Sequence, residues 1–119
     1  MALKRIILEM GHGNDMHGGD YTKAALRAVQ DALHHSSLPF HRSLGFDVGE
    51  LDVEVTIGVQ KPERVDTQAV AKSLPIGKIR VKAVKGGLDV IDEETGAGPV
   101  IATAAIAVRG DLEKHLTKA

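Results

Sequence analysis

His12, Asp15, His17 and Asp20 fall within one short stretch, Gly11-His12-Gly13-Asn14-Asp15-Met16-His17-Gly18-Gly19-Asp20. Glycine loses more conformational entropy on folding than any other residue, and a His/Asp cluster set against a core must be desolvated. Such a stretch is costly unless something binds there. Three chemistries fit these residue types. His12, Asp15 and His17, with Asp20 and Glu9 nearby, carry nitrogen and oxygen donors suited to a divalent metal. Asp15 and His17 suit an acid–base or ligand-orienting pair, because a carboxylate accepting from one ring nitrogen fixes the tautomer and raises basicity. Gly11, Gly13, Gly18, Gly19 and Asp20 lie where a strand would turn into a helix, and free N–H groups there suit a polar or anionic ligand. A purely local role stays open beside these: Asp15 making turn hydrogen bonds while His17 packs or caps.

The nucleotide signatures fail. Gly11-x-Gly13 is followed by Met16 where the dinucleotide pattern needs its third glycine. Gly13 and Gly18 have triphosphate-loop spacing, but Gly19-Asp20 replaces the Lys-Ser/Thr that neutralises phosphate and holds magnesium. The remaining histidines read as local. His34 and His35 close a helix whose dipole favours imidazolium, and His115 belongs to the tail.

The elements that would position the cluster follow from periodicity. Lys4 to Met10, centred on Ile6-Ile7-Leu8, reads as a buried strand. From Tyr21, the residues Ala24, Ala25, Ala28, Val29, Ala32 and Leu33 recur at helical spacing, with Asp20 or Thr22 as cap. Ser36 to Glu50 is a long connection carrying His41, Arg42 and Ser43 between Phe40 and Leu44. Leu51 to Gln60 alternates apolar and polar residues, the mark of a strand with one buried face. Lys61-Pro62-Glu63-Arg64 breaks it, and Asp66 caps a short helix in which Val65 staples onto Val70; Pro75 ends that helix. Lys78 to Val84 alternates again, Gly86-Gly87 predicts a two-residue hairpin, and Leu88 to Ile91 returns. After a loop from Asp92 to Gly98, the apolar run Val100 to Val108 predicts an interior strand, although its alanines also suit a buried helix. The tail from Asp111 is polar and expected to fray. This order predicts an α/β (α+β) two-layer sandwich, a mixed sheet with two helices on one face.

Composition narrows the function classes. The 119 residues suit a single domain with a core of Val, Ile, Leu and Ala, since the chain has one Tyr, two Phe and no Trp. A net charge of −1 argues against nucleic acid held by phosphate neutralisation. The absence of cysteine excludes disulfides and thiolate metal sites. No signal-peptide pattern and no apolar run of about 18 residues is present, so no membrane association and a cytoplasmic location are expected.

The pattern Gly-x-Gly-x-Asp-x-His-Gly at Gly11, Gly13, Asp15, His17 and Gly18, followed by Thr-Lys-Ala-Ala-x-Arg-Ala-Val-x-Asp-Ala from Thr22 to Ala32, resembles a small family of conserved hypothetical bacterial proteins, also found attached to longer plant chains. The likeness covers most of the chain and includes the strand at Val53–Val59, the Val65-Asp66 helix start and Gly86-Gly87-Leu88. His12, Asn14 and Met16 fill variable positions of that motif, which argues against a mechanism built on His12. The resemblance implies a site and no particular reaction. The sequence therefore supports a homo-oligomeric small-molecule-binding protein or enzyme, with a polar or anionic metabolite at the glycine-rich stretch and Asp15 and His17 in the acting roles. The alternatives are an assembly or accessory protein whose loop mediates subunit contacts, and a divalent-metal-binding protein using His12, Asp15 and His17.

Overall fold

A computed structural model describes residues 4–34, 51–74 and 77–110. The expectations for the connection at 36–50, for Pro75 and for the tail from Asp111 fall outside those residues. The elements are β1 (Lys4–Asp15), α1 (Tyr21–His34), β2 (Asp52–Val59), a 3-10 turn (Pro62–Arg64), α2 (Thr67–Lys72), β3 (Lys78–Lys85), β4 (Leu88–Asp89) and β5 (Val100–Gly110). They form a mixed five-stranded sheet with α1 and α2 against one face, the α+β sandwich expected from the element order. None of the described helices is long and apolar enough to cross a membrane.

β5 is the interior strand that its apolar run predicts. It pairs antiparallel with β1 on one side and with β2 on the other, and β2 pairs parallel with β3. Every second residue of β2 and β5 turns to the helices: Val53, Val55, Ile57 and Val59 meet Val100, Ala102, Ala104, Ile106 and Val108 in one core. Each fully buried Val or Ile there contributes roughly 1.5–3 kcal/mol. α1 presents Tyr21, Ala24, Ala25, Ala28, Val29 and Ala32 to the same core. On the opposite face the alternating charges pair across the parallel strands. Arg80 lies 2.8 Å from Asp52 and 3.6 Å from Glu54, and Lys82 lies 4.0 Å from Glu54.

β1 differs from the sequence expectation. It continues through Gly11 and Gly13 to Asp15, where the glycines predict a loop. The cause is long-range. Gly11 and Gly13 alternate onto the helix side, where the backbone of α1 lies so close that a β-carbon at Gly13 would meet the Ala28 nitrogen at 2.2 Å. A β-carbon at Gly11 would meet the Ala32 nitrogen at 2.4 Å. Glycines on the strand and alanines on the helix let two backbones touch. The outer edge of β1 is also tied to α1: the His12 N–H donates to Asp31 Oδ2 at 2.9 Å, and the Asn14 carbonyl accepts from Arg27 Nη1 at 2.7 Å.

A second difference concerns Gly86-Gly87, which is not a hairpin turn. β4 pairs with β5, through Leu88↔Ile101 and Asp89↔Val100, and not with β3. The chain passes over the end of β2 instead. There the Gly86 N–H donates to the Val59 carbonyl at 2.9 Å, and Gln60 Nε2 donates to the carbonyls of Gly86 and Gly87 at 3.0 and 3.2 Å. A β-carbon at Gly87 would meet the Ile101 carbonyl oxygen at 2.2 Å, so this crossing needs glycine.

Candidate functional site

Asp15 ends β1 and organises the turn that follows. Its Oδ2 accepts the N–H of Gly18 at 3.1 Å and of Asp20 at 2.9 Å, while Oδ1 faces Lys23 at 3.9 Å and Arg27 at 3.8 Å. The side chain is buried. The hydrogen bond from the Asp20 N–H holds the carboxyl below its ordinary pKa. Burial acts in the opposite sense, and Lys23, the Gly18 N–H and Arg27 reinforce the lowering. The turn fits tightly: Gly18 packs on the Asp15 carboxylate, and Gly19 adopts a left-handed φ of +60°. Asp20 then caps α1 by accepting the Lys23 N–H at 3.0 Å.

Thr22 joins the helix start to the chain after β2. It accepts the Asp66 N–H at 2.9 Å and donates to the Arg64 carbonyl at 3.4 Å. Asp66 in turn caps α2 by accepting the N–H groups of Gln68 and Ala69, each at 3.1 Å. The 3-10 turn begun by Pro62 is closed by Arg64 N–H donating to the Lys61 carbonyl at 3.1 Å, so Lys61 and Arg64 stand at its two ends.

A cavity of about 480 Å³ opens between this turn, the start of α1 and the chain around β4. Its chemically active lining is His17, Tyr21, Lys61, Arg64 and Asp89, with the backbone of Gly18 and Gly19 at one side. The far wall is Ile91 and residues 96–98. That wall is held by Asp92 N–H donating to the Ala97 carbonyl at 2.9 Å and Val90 N–H donating to the Pro99 carbonyl at 2.8 Å. Tyr21 reaches from the core into the cavity, where its hydroxyl donates to Asp89 Oδ2 at 2.5 Å. Burial, and then the Asp89 carboxylate, push the phenol pKa up to about 12. The other Asp89 oxygen, Oδ1, is buried without a hydrogen-bond partner among the described residues. A second cavity of about 450 Å³ lies across the turn, lined by Asp15, His17, Asp20, Lys23 and Arg27 among others. His17 and Gly18 line both cavities.

The residues singled out in the sequence thus separate into groups. His17, Gly18 and Gly19 face the larger cavity; Asp15, His17, Gly18 and Asp20 face the smaller. Gly11 and Gly13 lie under α1 and serve packing. The hydrogen bonds of Asp15 run to the turn backbone rather than to His17. His12 is exposed, and strand alternation puts it on the sheet face opposite Asp15. His12, Asp15 and His17 therefore do not converge, and among the described residues no group of three or more His, Asp or Glu is placed to hold a metal ion. Sequence reasoning missed Lys61, Arg64 and Asp89, and took Tyr21 only as core. The available signals were a charged pair bracketing Pro62-Glu63 and an acid interrupting the apolar run Leu88-Asp89-Val90-Ile91.

Comparison with known proteins places the chain in one family. Residues 5–108 match the family described as conserved hypothetical protein (Lin0512_fam), and the chain belongs to it. A similar solved structure is the crystal structure of an FtsZ-like protein of unknown function from Nostoc punctiforme. It is 35% identical, superposes with a TM-score of 0.81, and the match covers 93% of this chain and 98% of that one. None of the curated proteins matches the sequence.

Proposed function

We propose that this protein binds a small polar anion in the cavity bounded by His17, Tyr21, Lys61, Arg64 and Asp89. The observation that carries the reading is the convergence of Lys61 and Arg64 on a 480 Å³ space beside the Gly18-Gly19 turn. That volume lies within the range of small-molecule sites. A flexible ammonium and a planar guanidinium together suit carboxylate or phosphate oxygens. His17 brings an imidazole, the side chain used most often as general acid or base, to the wall of the cavity. Asp15 is a positioning residue: it holds the Gly18 and Asp20 N–H groups and thereby fixes the turn that carries His17.

A thermal-shift screen with inorganic phosphate and short carboxylates tests this reading. A binder present at 100-fold its dissociation constant adds about 2.7 kcal/mol of stability. The stabilisation is expected to disappear in Lys61→Ala/Arg64→Ala, whose side chains are exposed and whose loss leaves the fold intact. Equal stabilisation of the double variant, or none of the wild type across the screen, refutes the site.

A further inference from the structure

We infer that the anion taken by this cavity also carries a hydrogen-bond donor, an ammonium or a hydroxyl, for Asp89; the inference rests on the binding site proposed above. Asp89 is fixed by the backbone, since β4 is two residues long and registers Asp89 opposite Val100. One carboxylate oxygen is occupied by the Tyr21 hydroxyl, and the other is buried with no donor among the described residues. A buried acceptor left unsatisfied is unfavourable, and native structures rarely keep one without a reason. The cations of the cavity do not supply the missing partner: no ion pair within 4.0 Å joins Asp89 to Lys61 or Arg64 among the described residues, although all of them line the same space.

Opposite charges that share a cavity without touching leave room for a molecule that bridges them. Its anionic group pairs with Lys61 and Arg64, and its donor reaches Asp89. The terminal torsion of an aspartate is soft, so the carboxylate can turn to present an oxygen to the cavity, with the Tyr21 hydroxyl rotating to follow the other. Tyr21 then acts as a positioning residue for Asp89. The side chains contribute two positive charges and one negative, so a ligand with one anionic group and one ammonium leaves every charge facing its opposite. Ammonium is preferred over hydroxyl because a bond between two charged groups is the stronger.

The test uses matched ligands on the full chain: propionate, butyrate and hexanoate, each with its terminal-hydroxy and terminal-amino counterpart, titrated by NMR chemical shift. At least one amino acid of the series is expected to bind about tenfold more tightly than its unsubstituted parent, with the hydroxy compound between them. Asp89→Asn keeps shape and an acceptor for Tyr21 but removes the charge, so it is expected to erase the amino preference and bring the amino and parent acids to equal affinity. Arg64→Ala is expected to weaken all three ligands together. Equal binding of amino and parent acids to the wild type overturns the donor requirement and leaves the anion site standing. Failure of every ligand to bind overturns the donor inference, and the anion site falls with it when phosphate also gives no thermal shift. The wild-type comparison decides the matter even if Asp89→Asn does not fold.

Discussion

Replacing Gly13 by alanine perturbs the contact on which the sandwich closes. The new β-carbon would lie 2.2 Å from the Ala28 nitrogen, 2.5 Å from the Ala24 carbonyl oxygen and 2.6 Å from the Arg27 carbonyl carbon. All three are helix backbone atoms, so no side-chain rotation relieves the overlap. α1 must retreat by about 1 Å to restore ordinary contact. Ala24, Ala25, Ala28, Val29 and Ala32 are completely buried and would lose contact together. A gap of about 0.5–1 Å forfeits roughly a quarter to a half of each dispersion well. Overpacking costs about 1–3 kcal/mol and occasionally more, and a clash with backbone that no rotamer relieves stands at about 3–4 kcal/mol, while stiffening of the unfolded chain returns about 0.4–1 kcal/mol. A net loss of about 2–3 kcal/mol is expected, out of a total near 5–15 kcal/mol for ordinary domains. Equilibrium urea unfolding followed by far-ultraviolet circular dichroism measures it as a lower midpoint at unchanged slope. Gly19→Ala is the control: its φ of +60° strains alanine, but nothing lies within 4 Å of the added atom, so about 1–2 kcal/mol is expected. If Gly13→Ala proves no less stable than Gly19→Ala, the close approach of α1 to β1 is not what Gly13 provides. Adding Gly11→Ala to Gly13→Ala should cost less than the two separate losses, because one helix displacement relieves both overlaps.

Tyr21 is the chain's one tyrosine and there is no tryptophan, so phenolate absorbance reports this side chain alone. Its pKa, raised from 10.0 to about 12 in the fold, means a stabilising contribution that is complete below pH 10 and lost as pH climbs toward 12. Asp89→Asn should lower the titration midpoint, and a wild-type midpoint equal to that of free tyrosine would sink the buried pair. Asp15 has the opposite sign: its lowered pKa stabilises the fold above the ordinary carboxylate range, and that contribution is lost as pH falls through the folded pKa. Asp15→Asn should therefore flatten the acid limb of stability against pH, and an unchanged limb counts against the turn network. Leu8 and Met10 are 45% and 62% exposed on the sheet face away from the helices, beside Ala107 and Ala105 of β5. Light scattering at micromolar concentration should show self-association that Met10→Lys weakens; a monomeric wild type would refute it.

The elements legible in the sequence are those whose pattern is local. β2 announces itself by strict alternation, β5 by an apolar run filled on both faces, and α1 by alanines at helical spacing. The extent of β1 is hidden because Gly11 and Gly13 answer to the backbone of α1, residues 11 or more positions away, and glycine by itself reads as turn. The path after β3 was hidden for a similar reason. Gly86-Gly87 has hairpin composition, but β3 is parallel to β2, and the chain must cross the end of β2 before β4 can join β5. Composition records that a tight backbone is needed, and only the partner strand decides what the tightness is for.

The same logic divides the glycine-rich stretch. Its first half, through Gly13, belongs to the core; its second half, Gly18 and Gly19, belongs to the cavity wall. Asp15 sits at the joint, closing the strand and ordering the turn at once. If the proposed site holds, a substitution at Asp15 is expected to move stability and ligand binding together, and cannot separate a structural role from a functional one. His17 can. It is exposed, it lines both cavities, and no described hydrogen bond ties its side chain to the fold. Binding lost in His17→Ala at unchanged stability therefore assigns the side chain to the ligand. The charged half of the site, Lys61, Arg64 and Asp89, comes from segments remote from that stretch, brought to it by the Thr22 latch and by the pairing of β4 with β5. Their charges stand out locally, but what brings them to the glycine-rich turn is the Thr22 hydrogen bonds and a register between strands rather than a spacing along the chain.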